Sequence, residues 1–101
     1  MAFNSVKKGY RSQRKTHLYL EKRGWIVYTV PNVRFSKNHD IFHLFDHCSY
    51  KNGKLRFVQT KSNRCSKWEK ESIRRFKVPS YIIKEVFIWK DRVKEPEIIK
   101  L

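Results

Sequence analysis

The dipeptide Asn52-Gly53 constrains this chain more than any other feature. A two-residue hairpin turn of type I′ needs positive φ at both central positions, which Asn and Gly adopt at little steric cost. The runs on either side, residues 42–50 and 54–61, are rich in β-forming residues and are expected as strands. A two-residue turn also fixes the pairing: Lys51 must face Lys54, Tyr50 must face Leu55, Cys48 must face Phe57, and Asp46 must face Gln59. Directly opposed side chains share a sheet face, with Cβ atoms about 4.5–5.5 Å apart. Lys61 lies two residues past Gln59 and so shares that face. An apolar face of Cys48, Tyr50, Leu55 and Phe57 therefore ends in an acid, an amide and a base. This is a candidate site; the plain alternative is an Asp46–Lys61 ion pair at a sheet margin.

The rest of the chain supplies partners for the hairpin. A helix is expected over residues 5–23, stopped by Gly24 in a left-handed cap, with Lys22 and Arg23 at its negative end. Val6, Tyr10, Gln13, His17 and Leu20 fall on one helical stripe. Residues 25–30 read as a strand ending at Pro31, and residues 32–39 as a loop. Ser66 followed by Glu69 fits a capping box, so a second helix starts there and stops before Pro79. Residues 85–90 and 97–101 are two more strands, with Asp91-Arg92 in the turn between them. The order α-β-β-β-α-β-β predicts an α/β fold with a mixed sheet flanked by helices. No repeat or linker interrupts it, so residues 1–101 are read as a single domain.

Charge limits the partners. Lys plus Arg number 24 and Asp plus Glu number 9, a net charge of +15. Such an excess repels itself unless an anionic partner is present, and a phosphate backbone is the best match. No clean basic amphipathic helix recommends a membrane surface, and no apolar run is long enough to span one. The N-terminus carries no signal-peptide pattern, and Cys48 and Cys65 alone make no disulfide framework, so a reducing, cytoplasmic location is expected. Zinc is disfavoured as well. His43 and His47 have helical spacing, but on a strand they would lie about 13 Å apart. Cys48 reads as a core residue and His17 as a satisfied core histidine, although Gln13 beside it makes His17 a candidate for orienting a ligand.

The segments Phe45-Asp46-His47-Cys48-Ser49-Tyr50 and Arg56-Phe57-Val58-Gln59-Thr60-Lys61-Ser62, joined by the hairpin, resemble the core of the PD-(D/E)xK nucleases. With Lys8-Gly9-Tyr10-Arg11-Ser12-Gln13-Arg14 as the opening helix, the chain is most similar to small archaeal-type Holliday junction resolvases over residues 7–90. The resemblance implies a restriction-endonuclease-like fold, a homodimer, and Mg²⁺-dependent cleavage of DNA, with Mn²⁺ as an alternative ion. It implies that Asp46, Gln59 and the Thr60 carbonyl hold the metal, that Lys61 positions or activates water, and that Gln13 takes the place of a helix glutamate. Gln59 and Gln13 both stand where the family has acids, so Asp46 is the one firm anionic ligand. Glu21 and Asp40 are the acids nearest to hand, read first as an exposed helix residue and a turn residue.

Two groups of cations flank these positions and are expected to hold phosphates: Lys7, Lys8, Arg11, Arg14 and Lys15 with Arg34 and Lys37, then Arg64, Lys67, Lys70, Arg74, Arg75 and Lys77. No base-reading pattern stands out, so DNA shape or branching is the expected target. Tyr10 and Trp68 are able to stack on bases, but core packing is the first expectation for both. The expected function is a metal-dependent DNA endonuclease, of the branched-DNA or Holliday junction resolvase kind. The rivals are a DNA-binding module that kept the fold without strong catalysis, and a basic RNA-binding protein of ribosomal type.

Overall fold

The computed structural model describes residues 2–31, 41, 42 and 44–101, with backbone only for residues 2–10. The side chains of Val6, Lys7, Lys8 and Tyr10, and all of Arg34, Lys37, His39, Asp40 and His43, lie outside the described residues. The elements are α1 (Ala2–Lys22), β1 (Ile26–Thr29), β2 (His47–Lys51), β3 (Lys54–Ser62), α2 (Lys67–Arg75), β4 (Ile82–Trp89) and β5 (Glu97–Lys100), in the expected order. They build one sheet, β1-β2-β3-β4-β5. Only β3 and β4 pair in parallel, and α2 is the crossover that such a pair requires.

The turn residues behave as their chemistry demands. Asn52 and Gly53 have φ of 50° and 78°, and the pairing runs from Lys51↔Lys54 to His47↔Val58 in the expected register. Gly24, at φ 88°, ends α1; its N–H reaches the Glu21 carbonyl at 3.0 Å, and that of Trp25 reaches Leu20 at 3.1 Å. This pair of bonds is a Schellman cap.

One expected strand is shorter than its sequence pattern. Residues 42–50 do not run straight into the hairpin; Ile41 bridges Phe45 around a tight turn in which Phe42 takes φ 53°, and β2 begins only at His47. Burial explains the difference. Phe45 is fully enclosed, its ring 5.3 Å from Phe57 and 6.0 Å from Phe76, which an extended strand would not allow. β4 starts three residues earlier than expected because both of its faces are covered, and Lys84 and Glu85 are buried with partners.

The sheet divides two cores. On the α2 side, Phe45, Phe57, Cys65, Ile73, Val86 and Ile88 pack together. On the α1 side, Leu20, Val58, Phe87 and Trp89 do so, roofed by Tyr19, Trp25 and Val27. Two lysines of the sheet clamp α2. Lys84 Nζ donates to the carbonyls of Ile73, Arg74 and Phe76 at 2.7, 3.1 and 2.6 Å, answering the unsatisfied acceptors of the helix end. Lys61 pairs with Glu69 in the first turn, where Ser66 Oγ caps the Glu69 N–H at 3.1 Å.

The α1 side carries a polar seam that hydrophobic periodicity did not reveal. Among the described side chains of α1, the buried ones are Ser12, Thr16 and Leu20, not Gln13 and His17 of the expected stripe. Thr16 Oγ1 donates to the Ser12 carbonyl at 3.1 Å and accepts from Thr60 Oγ1 at 2.9 Å and from Trp89 Nε1 at 2.8 Å. With its one proton given to Thr16, the Thr60 hydroxyl must accept from His47 Nε2, at 2.7 Å. His47 Nδ1 is then an acceptor for Thr29 Oγ1 at 2.8 Å, which in turn accepts from His17 Nδ1 at 2.6 Å. The seam fixes one tautomer of His47 and leaves no buried side-chain donor or acceptor unmatched among the described residues.

His47 is held neutral. Burial, and secondarily the charge of His17, push its pKa from 6.5 down to about 3. The unfolded chain therefore binds a proton that the fold excludes, and stability present above pH 6.5 is lost as pH falls toward 3. Thermal melts followed by circular dichroism should show stability falling across that window at up to about 1.4 kcal/mol per pH unit. His47→Gln should start less stable and show a flatter acid limb; parallel acid limbs in the two proteins would contradict the assignment.

Candidate active site

Asp46 is the first residue beyond the β2–β3 ladder. Its N–H donates to the Val58 carbonyl and its own carbonyl accepts from Val30 N–H, both at 2.9 Å. These two bonds hold it where the chain leaves the sheet. Its side chain is 5% exposed, and Oδ2 accepts the Thr60 N–H at 2.9 Å. One end of the Gln59 amide lies 3.3 Å from the same Oδ2 and 2.7 Å from the Leu44 carbonyl oxygen. Presenting its NH₂ there, Gln59 donates to both. Presenting its oxygen, it would bring three oxygens together, an arrangement that only a cation would hold.

Asp46 and Gln59 thus meet as the hairpin register requires. Lys61 does not turn to Asp46. It pairs with Glu69 of α2, so the simple Asp46–Lys61 ion pair is not what the fold builds. Burial alone would raise the Glu69 pKa, but the hydrogen bond and charge of Lys61, together with Ser66, hold it below the usual carboxylate range. The sequence marked Glu69 only as half of a capping box; its approach to Lys61 depends on the βαβ crossover and has no local signal. Gln59, Lys61 and Glu69 line a cleft of about 200 Å³ with Leu44, Trp68, Ser72 and Ile73. Trp68, expected in the core, stands 77% exposed at its edge because Ile73 already fills the space beneath α2.

Gln13 is elsewhere. α1 covers the opposite face of the sheet, where Ser12 Oγ meets Ser62 Oγ at 2.7 Å and Thr16 meets Thr60. Gln13 lines a second cleft with His17, Glu21, Thr29 and Val30. The two clefts open near the same end of the sheet, because Val30 is bonded to Asp46. Glu21 is half exposed and lies 3.3 Å from His17 Nε2, in keeping with a surface helix residue.

The oxygens on hand, from the Asp46 carboxylate, the Gln59 amide and the main chain, are hard donors of the kind Mg²⁺ takes. They carry one formal charge between them. Among the described residues, no three of His, Cys, Asp and Glu converge, so no zinc-type cluster forms there. Cys48 and Cys65 are free thiols packed on the α2-side core, their pKa values pushed up by burial.

The cations divide between the two faces. Arg11, Arg14 and Lys15 are exposed on α1; Arg64 and Lys67 are exposed on the approach to α2 and its first turn. Arg74 and Arg75 sit at its other end, 2.6 and 3.6 Å from Glu71. Lys15 also lies over the Trp89 ring, 5.6 Å from its centre. No helix among the described residues is long and apolar enough to cross a membrane.

Neither protein-family models nor curated proteins give a match. Among solved structures, the fold is similar to that of Hjc from Archaeoglobus fulgidus, a Holliday junction resolvase from an archaeal hyperthermophile. The TM-score is 0.59 at 15% sequence identity, over 91% of this chain and 88% of that one. The architecture expected from the hairpin and its flanking motifs is therefore the one observed: this chain has the α/β fold of an archaeal Holliday junction resolvase.

Proposed function

We propose that this protein binds DNA, duplex or branched, and hydrolyses its backbone with a divalent cation, as a homodimer of the junction-resolving kind. The observation that carries this reading is the convergence of Asp46 with Gln59, and of Lys61 on the same face, in a resolvase fold that bears a +15 charge. Asp46, Gln59 and the Thr60 carbonyl would hold Mg²⁺ or Mn²⁺. A divalent ion held there would supply a water acidic enough to attack near neutral pH and would neutralise charge at the scissile phosphate. The chain's own part is positional. The Thr60 N–H orients the Asp46 carboxylate, and Gln59 turns its oxygen inward. Lys61 exchanges Glu69 for a phosphate oxygen and stabilises the charge that develops there. Gln13 lines the cleft of Val30, whose N–H is bonded to the Asp46 carbonyl, and would take the place of the helix glutamate there.

One observation favours a second reading, a DNA-binding module without cleavage. With its NH₂ toward Asp46, Gln59 satisfies the carboxylate without any ion, and Lys61 is satisfied by Glu69. A nicking assay separates the two. Linear, single-stranded and four-way-junction DNA are incubated with Mg²⁺, Mn²⁺ or EDTA, and metal-dependent cutting decides for the nuclease.

Asp46→Asn retains an acceptor for the Thr60 N–H, and Lys61→Ala removes a partly exposed pair, so both variants should keep the fold. Cleavage should drop by orders of magnitude in each while DNA affinity changes little. Unchanged cleavage in both would overturn the assigned roles. Gln59→Glu adds the missing charge. Calorimetry without DNA should give about 1–3 kcal/mol tighter Mg²⁺ binding, and an unaltered affinity would remove Gln59 from the metal site. DNA affinity, read by fluorescence anisotropy, should fall about 10³–10⁵-fold from 50 to 200 mM salt if six to ten phosphates are neutralised. A flat response would exclude backbone recognition.

A further inference from the structure

Trp68 is 77% exposed, more than any other large hydrophobic side chain described. A tryptophan normally hides most of 150–250 Å² on folding. Here Ile73 and Phe76 do the packing from the same segment, and Trp68 adds nothing to either core. It stands at the mouth of the cleft of Gln59 and Lys61. Cations surround it in sequence: Arg64 and Lys67 precede it, Lys70 follows, and all three lie on α2 or its approach. The acid at this rim, Glu69, is engaged by Lys61 and Ser66.

An exposed aromatic ring set among cations suits a ligand that is itself aromatic and polyanionic, which describes a nucleotide within a strand. A second copy of this chain would bring its own cations against the same rim. In a paired duplex, both faces of each base are covered by its neighbours, so a protein ring finds a free face only where a base is unpaired or extruded. We propose that Trp68 is a stacking platform for an unpaired nucleobase of DNA held beside the cleft. The target is then DNA with locally open pairing, with Arg64 and Lys67 supplying charge for the flanking phosphates. This inference rests on the DNA-binding half of the function proposed above and is independent of cleavage.

The test compares two DNA probes of equal length, one fully paired and one with a central run of unpaired thymines. Trp89 is buried with its Nε1 bonded to Thr16, and Trp25 is half-buried near Arg56 on the other face of the sheet, so Trp68 is the most accessible fluorophore. The unpaired probe should quench tryptophan emission, and Trp68→Phe should lose that quenching while keeping most of the affinity. Trp68→Ala, at an exposed position, should fold normally and bind the unpaired probe about 5- to 100-fold more weakly, with paired-duplex affinity unchanged. Equal losses on both probes, or no quenching, would overturn the proposal. So would sedimentation in which Trp68→Ala alone dissociates an oligomer, since the ring would then belong to a subunit interface. If wild type binds neither probe, the DNA-binding reading itself falls. If wild type and Trp68→Ala bind both probes equally well, only the stacking platform falls.

Discussion

Thr60 joins the two faces of the sheet, and the arrangement at the open end of the hairpin depends on it. Its main-chain N–H holds the Asp46 carboxylate, and its hydroxyl is locked between His47 and Thr16. A residue of β3 thereby ties the candidate metal ligand to the helix on the opposite side of the sheet. Buried hydrogen bonds of this sort contribute modestly when made and are expensive when broken. The carboxylate is held by the backbone of a strand, and a rigid element keeps the geometry of a site better than a loop does.

The hairpin and the helix ends were legible in the sequence because their causes are local. Asn52-Gly53 dictates a turn by covalent sterics, and that turn alone places Asp46 beside Gln59. Gly24 and Ser66 announce helix boundaries through backbone groups that need partners nearby. The polar seam was not legible. Ser12, Thr16, Thr29 and Thr60 are small and polar, and a search for apolar periodicity reads through them; only the assembled fold matches their donors to acceptors. Glu69 meeting Lys61 was invisible for a different reason, since two residues joined by a crossover approach each other only once β3 and β4 have paired. Trp68 was misjudged because a nine-residue helix gives too few turns to tell which aromatic faces in.

The two glutamines differ in their surroundings. Gln59 lies against Asp46, and its amide is able to present either a donor or an acceptor to that carboxylate. A glutamate in its place would repel Asp46 unless a cation or a proton intervened. The amide therefore spares the fold that electrostatic penalty. Gln13 lines the cleft of His17 and Val30 on the α1 side of the sheet.

The double clamp on α2 has a kinetic consequence. Nine residues fall short of the length at which an isolated helix persists in water. The stabilising groups come from outside it: Lys61 on β3 grips the first turn, and Lys84 on β4 closes the last. The parallel pair that carries these lysines must form by long-range search, a slow event compared with closing the Asn52-Gly53 hairpin. α2 therefore condenses late, after the strands that hold it. The assembly order along the chain runs hairpin, then parallel strand, then helix, although the helix comes before β4 in the sequence.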